Sequence, residues 1–181
     1  MAGNSATTWG WPAKLLHWAG VAAILVLLGH GAWMTHFAER AGRVPQYALH
    51  AAVGYDFLAL LVLRTLWRWM NAVPALPAGL KAWEVTAAKA SHIGLYLLMF
   101  AASVTGWGMA GTFDPPLAGD LLGIQLPQIV ATTARDVHEF FEISHLSLSY
   151  VLAALVAVHI AGALRHHFIK RNDVLRRMWF G

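Results

Sequence analysis

The sequence predicts an all-α membrane fold, a bundle of four transmembrane helices, and three observations predict it. The chain is 58% hydrophobic and 12% charged, whereas a soluble domain needs roughly 25% charged residues to cover its surface. Four apolar stretches each approach the ~20 residues that cross a bilayer. Nine tryptophans point the same way, because indole collects at membrane–water interfaces. With 181 residues the chain suffices for one domain, taken as 1–181, and hardly for two.

The first span runs from about Lys14 to Met34. Residues Met1 to Trp11 before it are polar and small with no basic region, so no cleavable signal is expected. The second span covers about Leu49 to Trp69, the third about Ala90 to Gly111, and the fourth about Leu146 to Phe168. A proline-containing linker, Asn71 to Pro77, and a short amphipathic stretch to Lys89 separate the second from the third. Pro115, Pro116 and Pro127 break the longest connection, between the third and fourth, into turns.

Orientation follows from the basic residues. Arg64, Arg68, Lys81 and Lys89 flank the second–third connection, and Arg165, Lys170, Arg171, Arg176 and Arg177 follow the fourth span. The third–fourth loop carries Asp114, Asp120, Asp136, Glu139 and Glu142 with only Arg135. Both termini are therefore expected in the cytoplasm. Arg40 and Arg43 in the first–second loop are outvoted. The net charge of +4 then reflects orientation and asks for no nucleic-acid partner.

Histidine inside a span is costly and calls for a reason. His145 and His159 on the fourth helix are fourteen residues apart, which leaves them about 40° from alignment and about 21 Å apart along the axis. They share one face, one in each leaflet. One small ion could not use both, since its ligands stand within a few ångströms; two stacked haems could. Depth then selects partners: His17, near the inner start of the first helix, for His159, and His50, at the outer start of the second, for His145. A bundle core can hold a cofactor between such facing helices. Gly20, Gly54 and Gly162 follow three of these histidines by one turn and Ser149 follows the fourth, leaving room for a flat macrocycle. Small residues also serve close helix packing.

The remaining histidines have other readings. His92 competes with His17 for the inner position. His30 lies about 140° around the first helix from His17 and at the depth of Asp56, so a His30–Asp56 hydrogen bond is one expectation, a hydroxyl or water partner for Asp56 the other. His36 and His138 read as loop or interface residues. His166 shares the face of His159 and suits a propionate or a quinone head group, while plain interfacial anchoring explains His166 and His167 equally well. The chain has no cysteine, which excludes disulfides, iron–sulfur clusters and covalent haem attachment.

Motifs along nearly the whole chain resemble the bacterial cytochrome b561 family. They are KLLHW at 14–18, ALHAAVG at 48–54, LRTLWR at 63–68, SHIGLYLL at 91–98, the spacing from His145 to His159, and LRHHFIKRNDVLRRM at 164–178. The resemblance implies a multi-pass di-haem b-type cytochrome of the bacterial inner membrane. Its four iron ligands fall by position on His17, His50, His145 and His159, and the family also has a histidine where His92 stands. It further implies electron exchange with quinone, ubiquinone included, and in one branch oxidation of superoxide at the periplasmic face. The outer loops here carry three arginines against six acids, net −3, which suits a basic periplasmic redox protein better than an anion, though Arg40 and Arg43 could form a local entrance.

Three functions compete. One is an oxidoreductase linking quinone to an outer one-electron donor or acceptor, superoxide included. Another is an electron-transfer and membrane-anchor subunit for a separate redox enzyme. The third is a channel or transporter whose histidines relay protons.

Overall fold

The computed structural model describes residues 2–39, 43–77 and 79–180, with the backbone alone at Arg43. Four helices dominate: α1 (Trp11–His36), α2 (Arg43–Met70), α3 (Ala82–Ala110) and α4 (Arg135–Leu164). All four are long and apolar enough to cross a membrane. Each outruns the apolar stretch that announced it. At 26 to 30 residues they extend about 39–45 Å, past the ~30 Å hydrocarbon core. Hydropathy marks only the apolar middle, while the polar turns stay helical in the headgroup region. The amphipathic stretch ending at Lys89, expected as a separate piece, is the start of α3.

Local chemistry sets the ends. Pro12 stands at the start of α1, where a missing N–H leaves no bond unmade. The Lys81 N–H donates to Glu84 Oε2 at 3.0 Å and caps α3. Past Leu164, α4 loosens into a π-helical turn, Arg165–Ile169, in which the Lys170 N–H reaches the Arg165 carbonyl at 3.0 Å.

The closest helix pair is α3 with α4; α1 packs on α2, and α2 on α3. Two glycines explain the close pair. A Cβ at Gly94 would stand 3.0 Å from Leu155 Cδ2, and one at Gly108 would enter the Phe141 ring. Midway along the bundle, Ile24, Leu27, Phe57, Leu61, Met99 and Leu152 join in one buried cluster. Leu152 is only 1% exposed. It lies seven residues from each of His145 and His159, so the apolar plug stands between the two histidine levels, the loop-end and terminal-end chambers.

The α3–α4 connection folds back over one end. Tyr55 Oη donates to the Leu117 carbonyl at 2.7 Å, and the Asp120 carboxylate accepts the N–H groups of Leu122 and Ile124. Asp56 accepts the Leu121 N–H at 3.2 Å, which corrects the expected His30–Asp56 bond: His30 Nε2 instead meets Gln46 Oε1 at 3.0 Å. The loop reaches Asp56 first, and helix depth alone carried no information about the loop. Arg40, half of the suggested local entrance, lies outside the described residues.

The opposite end gathers both termini. Asn4 Nδ2 donates to the Ala72 carbonyl, Lys14 Nζ to that of Trp179 and Trp18 Nε1 to that of Met178. Glu84 is 4% exposed and holds Arg165 at 3.0 Å and Lys170 at 3.4 Å, tying the foot of α3 to the π turn.

Candidate functional site: two imidazole chambers

In the loop-end chamber, the ring centres of His50 on α2 and His145 on α4 stand 6.1 Å apart. His145 Nδ1 lies 2.9 Å from the Ala102 carbonyl. A carbonyl only accepts, so Nδ1 carries the proton and Nε2 keeps its lone pair for a metal. Gly106 lets the ring approach α3, since a Cβ there would stand 3.0 Å from His145 Cε1. Gly31 does the same for His50 at 3.4 Å. His50 Nδ1 is buried with no hydrogen-bond partner. Beside it, His30 lies 5.8 Å from the His50 ring and stacks on Trp33. A cavity of about 260 Å³ reaches between all four helices here, lined by His50, His145, Gly54, Gly106, Ser149 and Leu152 among others.

In the terminal-end chamber, His159 on α4 stands 5.3 Å from His92 on α3. His17 on α1 lies at this same end of the bundle. Arg64 Nη2 donates to His17 Nδ1 at 2.9 Å, and the guanidinium lies 5.5 Å over the Tyr96 ring. A guanidinium only donates, so His17 carries its proton on Nε2 in this arrangement. Trp67 Nε1, Ser91 Oγ and His167 Nδ1 are buried without partners.

The structure therefore brings His50 to His145 and His92 to His159, with His17 at the same end as the second pair and in contact with Arg64. On α4, His145 and His159 both face the interior. His36 and His138 stand apart, hydrogen-bonded to Tyr150 Oη and Thr112 Oγ1, and His166 meets Asn172 Nδ2. Among the described residues no three His, Asp or Glu side chains converge on one point as a bare ion would need.

Do these residues fit a haem? Two imidazoles about 2 Å from one iron put their centres roughly 6 Å apart, as His50 and His145 stand. Edge-on ring packing gives the same range, so distance does not decide. Three other features fit. His145 has the right tautomer, His50 has an unpartnered ring nitrogen, and a Cβ at Gly54 or Gly162 would meet nothing within 4 Å. His17 fits with two changes: its proton must leave Nε2 and Arg64 must release Nδ1.

Sequence reading did not find Ala102, Gly106, Gly31 or Arg64. The carbonyl belongs to a residue type with no signal, the glycines lie far in sequence from the rings they admit, and Arg64 read as an interfacial charge.

Comparison with known proteins completes the picture. The profile described as prokaryotic cytochrome b561 matches residues 8–181. The chain is 27% identical over 179 residues to "Cytochrome b561 homolog 2" of Escherichia coli (strain K12), covering 97% of this chain and 93% of that one. It is 22% identical over 163 residues to "Probable superoxide oxidase CybB" of Yersinia pestis, covering 90% of each. With its four apolar helices and interior histidines, the chain belongs to the prokaryotic cytochrome b561 family, multi-pass electron-transfer proteins of the bacterial inner membrane that bind b-type haem.

Proposed function

We propose that this single domain carries two b haems, one between His50 and His145 and one between His17 and His159, and relays electrons across the membrane between an outer one-electron partner and the quinone pool. The observation that carries this reading is the helix packing. Both pairs join helices that are not close neighbours: α4 runs along α3, so the space facing α1 and α2 can take a flat macrocycle. His92 and His159 lie on the tightly packed pair, where Gly94 already meets Leu155, and a porphyrin could not enter between them.

Haem held by these histidine pairs would supply one-electron chemistry. The chain's own residues do the rest. Ala102 fixes the His145 tautomer. Arg64 supplies a cation for the carboxylate arms, and release from His17 frees it to do so. The plug around Leu152 keeps water from joining the chambers. The basic flanks favour cytoplasmic termini; on that orientation the His17–His159 chamber is the inner one, and His92 or His166 stands ready to move a proton toward a quinone head group.

Superoxide is the outer partner suggested by the name of the Yersinia pestis relative. The net −3 of the outer loops favours a second reading, a cationic periplasmic redox protein, because an acidic mouth slows an anion's approach. Vesicles containing the purified haem-loaded protein and trapped ferricyanide test the relay. External ubiquinol should bleach the internal ferricyanide, and His50→Ala or His17→Ala should abolish the bleaching. Equal bleaching by those variants would refute the relay. Mixing with superoxide and with a cationic cytochrome in turn identifies the outer partner by rate.

A further inference from the structure

We propose that the cleft between α2 and α3 at the terminal end binds the phosphate headgroup of an acidic phospholipid. This inference goes beyond the relay and needs only the membrane location. The cleft encloses about 330 Å³ and is lined by Arg68, Lys89, His92, Ile93, Tyr96 and Leu97. The five α3 residues fall at i, i+3, i+4, i+7 and i+8, a single stripe of the helix. Charge and hydropathy are graded along it. Arg68 lies two residues from the end of α2 and Lys89 seven from the start of α3, while Ile93 and Leu97, 62% and 66% exposed, follow deeper along the span. An anionic head with acyl chains above it matches that grading.

The two cations are also uncompensated. At the same end Glu84 takes Arg165 and Lys170, and Asp173 takes Arg177. Among the described residues no carboxylate lies within ion-pair distance of Arg68 or Lys89. Arg68 is held instead by two rings, Trp9 at 5.8 Å and Tyr96 at 6.0 Å. Both rings attract the guanidinium through their faces and take none of its N–H groups as a carboxylate would; a phosphate is the acceptor that fork matches in pairs. Lys89 adds a mobile point charge. Basic pockets between spanning helices at a membrane surface take anionic headgroups on this physics.

The haem-loaded protein, stripped of lipid in detergent, is offered equal amounts of phosphatidylglycerol and phosphatidylcholine and weighed intact by native mass spectrometry. The expected result is one retained phosphatidylglycerol. Retention should fall about five-fold in Arg68→Gln and about 25-fold in Arg68→Gln/Lys89→Gln, with haem absorption unchanged. Lys89→Glu, at an exposed position with no partner to lose, serves as the variant least able to disturb folding and should also lose the lipid. Equal retention of both lipids, unchanged retention in Lys89→Glu, displacement by inorganic phosphate alone, or a bound quinone in place of lipid would each overturn the proposal.

Discussion

Each chamber is set by single atoms that a hydropathy profile does not contain. The Ala102 carbonyl holds the proton of His145 on Nδ1, and Gly106 supplies the space for that ring. Gly106→Val should therefore push His145 from its place and remove or shift one b-haem signal, leaving the other intact; a reduced-minus-oxidised spectrum checks it. Glu84 is the buried carboxylate between Arg165 and Lys170. Glu84→Gln should lower the thermal unfolding midpoint and raise protease sensitivity of the tail, because two cations lose their partner while the Lys81 cap persists in part. The interior positions of His50, His145 and His159 were legible in the sequence because an imidazole in a span has few uses. The carbonyl, the glycines and the Arg64–His17 contact were not, since each depends on which residue of another helix stands opposite. Asp56 shows the same limit from the other side: its partner is a loop N–H, and no argument from helix depth could find it.

Among the elements, the number and order of the helices were legible and their lengths were not. Apolar periodicity stops at the edge of the hydrocarbon, whereas backbone hydrogen bonding continues into the headgroups, as the first turns of α3 and the Arg135 end of α4 show. The π turn at Arg165–Ile169 carried no sequence signal. Packing decides the rest. Leu152, fully enclosed in the plug, is the element-scale test: Leu152→Ala should cost about 2–5 kcal/mol on the large-to-small scale of buried leucines. A denaturation curve followed by haem absorption would measure it. Gly94→Leu should open the α3–α4 contact and destabilise by about 1–3 kcal/mol, while Gly54→Ala, facing open space, should leave stability unchanged and weaken haem retention alone.

At the scale of the whole molecule, charge separates the two ends and the plug separates the two chambers. The basic terminal end and the acidic loop end were both legible from the sequence, because the asymmetry is a count along the chain. If the outer mouth repels anions, Asp136→Asn/Glu142→Gln should speed reaction with superoxide several-fold and slow reaction with a cationic cytochrome, both effects fading as salt screens them. The central claim is that α4 presents two imidazoles to two separate irons. Haem quantitation with a reduced-minus-oxidised spectrum on the purified wild type, His145→Ala, His159→Ala and His92→Ala tests it most directly. Two haems per chain are expected in the wild type and in His92→Ala, and one in each α4 variant, with different halves of the spectrum lost. Two haems surviving in either α4 variant, or one lost from His92→Ala, would contradict it.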